Sequence, residues 1–180
     1  MMFLLAFIYY SLTMTLFTFE DEQQVAEWHT ENDVVMGGVS RSQVTYVAEA
    51  AGKEGIAHFT GHVSLENDGG FAQILYDQKT LDLDGFEGIE LHVRGDQQTY
   101  QLRIETSAER VAYARSFETT GEWQFIKLAF ADFESTYHGE PVPDAPELDR
   151  SAIRTVGFLI GDQQEGNFEL LIDEVRAYEE

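Results

Sequence analysis

Along most of the chain, apolar and polar positions alternate with a period of two. Ile89, Leu91 and Val93 alternate with Glu90, His92 and Arg94. After a turn at Arg94-Gly95-Asp96, Tyr100, Leu102 and Ile104 alternate with Gln101, Arg103 and Glu105. Successive side chains of a strand point to opposite faces, so this pattern predicts two half-buried strands, read as an antiparallel pair. Thr15–Phe19 alternates in the same way, and Arg41–Ala48 does so weakly. Ile56–Leu65 reads as a strand with Ala57, Phe59, Val63 and Leu65 on one face, and Phe71–Tyr76 as another. Val111–Phe117 and Trp123–Phe130 continue a meander around Thr120-Gly121-Glu122. Ile153–Ile160 and Phe168–Tyr178 close it around 161–166. Glu20–Glu27 is polar and predicts a turn or a single helical turn. Residues 131–150 hold all three prolines and predict a long loop. Between residues 40 and 180 no stretch keeps a helical period for three turns. Turn signals such as 51–55 and Asp82-Leu83-Asp84-Gly85 recur about every eight to twelve residues. Many short strands with this spacing predict an all-β fold, a β-sandwich of jelly-roll type.

The first 19 residues carry no charge. They lack the basic opening and the small-residue cleavage site of a signal peptide, and Thr, Ser and Tyr dilute them as a membrane span. The reading adopted is a hydrophobic N-terminal extension over 1–13, from an early start, followed by one domain over 14–180. A signal or an anchor formed by residues 1–19 stays open as the alternative. The expected location is the cytoplasm, with membrane association, export or anchoring following from those alternatives.

Composition narrows the partners. With 180 residues and 43% apolar side chains, the chain suits one folded domain with its own core. It has no cysteine, which removes disulfides, thiolate metal sites and a thiol nucleophile. The formal net charge of −22 makes nucleic acid and an anionic membrane surface poor partners, because phosphate binding needs a basic face. The charge is either a well-solvated acidic surface or an adaptation to high salt, where screening removes self-repulsion. Adaptation predicts a melting temperature that climbs from low to molar salt; a flat or falling trend in a thermal melt would contradict it.

Two glycine-rich loops carry the candidate chemistry: Asn32-Asp33-Val34-Val35-Met36-Gly37-Gly38-Val39-Ser40, and Asn67-Asp68-Gly69-Gly70-Phe71. The first has no following lysine and no helix, so it is not a phosphate cradle. It has no closing glycine after Ser40, so it is not a nucleophile elbow. His58 and His62 sit in a strand pattern, where four residues span roughly 13 Å, too far to share one ion. Asn32-Asp33 and Asn67-Asp68 supply hard oxygens that leave a structural Ca²⁺ open. Otherwise no cofactor and no catalytic residue is expected. The bland reading is that Gly37, Gly38, Gly69 and Gly70 supply tight backbone, with Asn32, Asp33, Ser40 and Asn67 capping turns. Trp28, Trp123 and Phe125 are read as core aromatics. The two loops are expected to meet in space and fix one edge of the sandwich.

The run from Trp28 through Asn32–Ser40 resembles the opening block of the complex I intermediate-associated protein (thirty-kilodalton) family. Phe59-x-Gly61-x-Val63-Ser64-Leu65-Glu66-Asn67-x-Gly69-Gly70-Phe71 is similar to that family's next block. Arg94-Gly95-Asp96 with Tyr100, Gly121-Glu122-Trp123-Gln124, and Gly157-Phe158-Leu159-Ile160 with Gly166-x-Phe168-x-Leu170 follow in order. The resemblance implies a galactose-binding-domain-like fold and a non-enzymatic role. It further implies a chaperone-like assembly factor that binds a protein client, a subunit or intermediate of NADH:ubiquinone oxidoreductase. It marks Asn32, Asp33, Met36, Gly37, Gly38, Ser40, Asn67, Gly69, Gly70, Phe71, Arg94 and Asp96 as candidate binding or structural residues. The alternative is a carbohydrate-binding module. The chain departs from the family pattern at Ala129, within 134–139, and at Gln164 and Glu165, all at loops or strand ends.

Overall fold

The computed structural model describes residues 12–106 and 111–179, so most of the N-terminal extension expected over 1–13 lies outside the described residues. Two antiparallel sheets face each other across one core, as the alternation predicts. The strands, in chain order, are β1 (Thr13–Thr18), β2 (Trp28–Asn32), β3 (Arg41–Ala50), β4 (Lys53–Val63), β5 (Ala72–Tyr76), β6 (Gly88–Gly95) and β7 (Thr99–Thr106). Then follow β8 (Ala112–Glu118), β9 (Gln124–Ala129), β10 (Glu134–Tyr137), β11 (Glu140–Pro141), β12 (Ile153–Ile160) and β13 (Gly166–Tyr178). One sheet runs β3-β4-β13-β6-β9, with β1 also paired to the long β13. The other runs β11-β10-β8-β7-β12-β5-β2. The polar 20–27 segment holds a single helical turn, α1 (Glu22–Val25), capped by the Asp21 carboxylate on the Gln24 N–H.

Three expected pairings are corrected. β6 and β7 are not partners: β6 lies between β13 and β9, while β7 lies between β8 and β12. The same holds for β8 with β9 and for β12 with β13, which belong to opposite sheets. Period two reports which face of a strand is buried. It does not report which strand lies beside it, and two strands facing one core from opposite sheets show the same alternation as a hairpin. The 131–150 loop is also corrected. Glu134–Tyr137 and Glu140–Pro141 pair as a hairpin turned at His138-Gly139, with φ of 51° and 83°. The same left-handed pair occurs at Ala51-Gly52 between β3 and β4. Two positive φ values in a two-residue turn match the right-handed twist of the strands they join.

The core is threaded by rings. Phe17, Tyr76 and Trp28 meet at one side; Trp28 leads through Phe158, Phe117 and Tyr100 to Phe168 and Phe59, each neighbour within 6.5 Å. Such tilted and edge-on pairs add to the burial of the rings themselves. Trp28 is therefore core, as expected, but Phe125 and Trp123 are not. Phe125 is 58% exposed on the outer face of the six-stranded sheet and stacks on His92 at 4.1 Å, with Trp123 on the other contact of that imidazole. On β9, Leu128 is buried and Ile126 packs against the core, so Phe125 and Lys127 must point out. Leu65 is likewise exposed, beyond the end of β4.

Candidate functional site

Chain reversals at one end of the sandwich bring together segments 33–40, 64–71, 95–98 and 161–165. Asp33 stands where the chain leaves β2, in one sheet, for β3, in the other. Its residue is fully buried. One carboxylate oxygen accepts from the Ser40 N–H at 3.0 Å. The other accepts from the Ser40 hydroxyl at 2.5 Å, the Gly70 N–H at 2.7 Å and the Phe71 N–H at 3.4 Å. Ser40 Oγ in turn accepts from the Ser64 N–H at 2.9 Å. The two glycine loops thus meet, and Asp33 is what they meet on.

Burial by itself would raise the Asp33 carboxyl. The bonds from the Ser40 hydroxyl and from the N–H groups of Gly70, Ser40 and Phe71 outweigh it and hold the group below its ordinary value. A side chain at Gly38 would collide with the Asp33 carboxylate, and one at Gly69 would come within 2.6 Å of its Oδ2. These two glycines are there for close approach. Gly37 (φ +97°) and Gly70 (φ +138°) are there for left-handed backbone. Asn67 and Asp68 also adopt positive φ, which their short polar side chains tolerate, and both are exposed. Asn32 accepts a bond from the Ser42 hydroxyl at 2.7 Å. Because N–H and O–H donors occupy both Asp33 oxygens, this loop does not offer them to a cation. His58 and His62 bond instead to Glu169 and Asn167 on the outer face of the six-stranded sheet.

Arg94 and Asp96 sit at the same end in a separate network. Asp96 accepts from the Tyr100 hydroxyl at 2.9 Å and from the Glu169 N–H at 2.8 Å, so it ties β7 of one sheet to β13 of the other. Burial, together with the Asp96 charge, pushes the Tyr100 phenol far above its usual range. Arg94 Nε donates to the Gly121 carbonyl at 2.6 Å. Each of these two sheet crossings is therefore pinned by one aspartate.

The same 3-10 turn that begins at Asp33 presents Val34, Val35 and Met36, which are 60%, 70% and 57% exposed. Val35 and Met36, with Phe71, form one rim of a groove of about 910 Å³ across the outer face of the seven-stranded sheet. The other rim is the β10–β11 hairpin, where Tyr137 stacks on His138 at 4.2 Å. Small residues, Ala112, Ala114 and Ser116, let the floor sink. Gln101, Arg103 and Glu105 alternate outward along β7. Gln73 bonds Glu31 at 2.8 Å and Gln101 bonds Asp162 at 3.2 Å. Burial lowers the Arg103 pKa, although Glu105 and Glu31 act against it; burial raises the Glu105 pKa, against the pull of Arg103. The loop motifs did not point to this groove. The polar positions of β7 carried its signal in the sequence, since polar groups at period two mark an outward face, here a concave one.

Residues 17–172 match the model of the family Complex I intermediate-associated protein 30. An uncharacterized protein of Schizosaccharomyces pombe is 32% identical over 86% of this chain and 81% of its own length. The mitochondrial Complex I intermediate-associated protein 30 of Neurospora crassa is 21% identical over 53% of this chain and 36% of its own length. Among solved structures, a family 11 carbohydrate-binding module from Clostridium thermocellum, in complex with a β-1,3-1,4-mixed-linked tetrasaccharide, superposes with a TM-score of 0.69. It is 17% identical, over 92% of this chain and 94% of that one. Its jelly-roll architecture is the fold described above. Among the described residues no helix is long and apolar enough to cross a membrane.

Proposed function

The chain belongs to the complex I intermediate-associated protein 30 family, and from that premise we propose that it is a non-enzymatic assembly factor that holds a protein client, an intermediate of respiratory complex I. The observation that carries this reading is the apolar turn Val34-Val35-Met36. Three consecutive large apolar side chains lie in solvent on a backbone that Asp33 pins from behind. Exposed apolar patches of this kind mark partner surfaces. A rigid presentation also lowers the ordering cost of binding. Deleting the gene is expected to lower the amount of assembled complex I in the host. The wild-type gene restores it, while Val35→Asp/Met36→Asp, which alters only exposed side chains, does not. A normal complex I level in the deletion strain would contradict the proposal.

A second reading, carbohydrate binding, is favoured by one specific observation. The bonded pairs Gln73–Glu31 and Gln101–Asp162 place donors and acceptors side by side in the groove, as sugar hydroxyls require. The likeness to a carbohydrate-binding module supports it at the level of fold. Among the described residues, however, the groove has only Phe71 and Tyr137 as phenyl or phenol rings, one at each rim, and none on its floor. A glycan array without signal, with and without Ca²⁺, would count against this reading.

A further inference from the structure

The groove on the seven-stranded sheet has its own charge and dimensions. Its strand residues come from all seven strands of the sheet, β2, β5, β12, β7, β8, β10 and β11. At about 4.8 Å per neighbouring strand it crosses roughly 29 Å, the length of about nine extended residues. Among the described residues five carboxylates line it, Glu31, Glu105, Asp132, Glu134 and Asp162, against the two guanidinium groups of Arg103 and Arg115. Glu31 and Asp162 are held by the amides of Gln73 and Gln101. Among the described residues, Asp132 and Glu134 form no side-chain hydrogen bond or ion pair, and both are exposed. Each rim adds apolar surface, Val35 and Met36 on one side and Tyr137 on the other.

We propose that this groove seats an extended, lysine- or arginine-bearing segment of the protein client, with its cations on the unpaired carboxylates of Asp132 and Glu134 and its apolar side chains against the two rims. The inference rests on the protein-client reading and names the chemistry of the segment recognised. Charge complementarity selects the cationic partner: opposite potentials steer the encounter, and like charges are turned away. An anionic segment meets net repulsion along the groove. Among the described residues the floor has no ring to stack on, so a polyhydroxyl chain finds no stacking platform there. Glu105 adds to the selection, because a half-buried carboxylate whose pKa is raised by burial gains most from an arriving cation.

The test uses the full chain at about 0.1 M salt, where the Debye length of about 10 Å leaves close pairs intact. The probe is a fluorescent eight-residue peptide of alternating lysine and valine, with its glutamate counterpart as the opposite charge. The lysine peptide is expected to bind, more weakly as salt rises, and the glutamate peptide not to bind. Asp132→Asn/Glu134→Gln is expected to weaken the lysine peptide about tenfold. Glu49→Gln/Glu54→Gln removes the same charge from the β3–β4 hairpin of the other sheet, and is expected to change affinity by less than about twofold. Glu105→Gln gives a second groove variant, and thermal melts report folding for all of them. Equal weakening by the groove and hairpin pairs would assign binding to the general negative field and overturn the proposal, as would no binding of the lysine peptide. A neutral oligosaccharide whose binding is abolished by the groove pair would overturn it too. If Asp132→Asn/Glu134→Gln still restores complex I in the deletion strain, the client reading survives and the groove assignment falls. If the peptide result holds while the deletion leaves complex I unchanged, the groove assignment survives and the client reading falls.

Discussion

Asp33→Asn is expected to lower the unfolding free energy by about 3–5 kcal/mol, because charge-assisted bonds in a buried site are lost together. The amide keeps the size of the side chain. Its oxygen can still take the Ser40 N–H, but its NH₂ then replaces the oxygen that accepts from the Ser40 hydroxyl and faces the Gly70 N–H, which now lies 2.7 Å from a carboxylate oxygen. Two donors oppose each other in a buried position, and both glycine loops lose their common acceptor. Urea unfolding at neutral pH measures the difference. The pH dependence follows from the sign of the shift. The Asp33 carboxyl is held below its ordinary value of 3.8. Its contribution is therefore complete above the unfolded value and is lost as pH falls through the lower folded value. Wild type and Asp33→Asn should differ most above pH 4 and converge below it. A difference that stays constant across that window would show that the carboxylate charge is not what the loops depend on.

Gly61→Ala is expected to cost about 3 kcal/mol or more, at the upper end of overpacking effects. Gly61 lies in β4 between Ser42 of β3 and Phe168 of β13. A β-carbon there would run into the Arg41 carbonyl oxygen, stand 2.8 Å from the Ser42 Cα and 2.9 Å from the Phe168 ring. Two of these obstacles are backbone, so relief requires moving β3 away from β4 and breaking ladder bonds. Gly52→Ala is the control. Nothing lies within 4 Å of its β-carbon, and only its φ of +79° resists, at about 1–2 kcal/mol. Melting temperatures followed by circular dichroism separate the two. Similar losses would mean that backbone conformation, not the approach of β3, governs Gly61.

The layers of the fold were legible in the alternation. Tyr100, Leu102 and Ile104 are all fully buried, and the residues between them face outward. Strand neighbours were not legible, because a crossing at Gly95-Asp96 and a hairpin leave the same two-residue period. On β9 the inward positions are Ile126 and Leu128, which makes Phe125 an outer ring and not the core ring that its aromatic character suggested. At the glycine loops the sequence marked the right residues without their order of importance. Gly37, Gly38, Gly69 and Gly70 stood out by composition, whereas Asp33, one of 33 acidic residues, had no local mark of being the acceptor they surround. Arg94 and Asp96 belong to the same end of the sandwich but to another junction. The groove was hidden for a different reason. A concave sheet face is made by residues far apart in the chain, Glu31, Gln73, Gln101 and Glu134 among them, and its rim came from a hairpin inside a stretch that proline content marked as a loop. Polar outward positions look alike whether the surface over them is flat or hollow.

Site-specific photo-crosslinking from position 35 in the host tests the central claim most directly. With a photoreactive residue in place of Val35, the account predicts covalent capture of a subunit or intermediate of complex I, lost when Met36→Asp is added, and no such capture from position 49 on the opposite sheet. Capture of no complex I component from position 35, or equal capture from both positions, would contradict it.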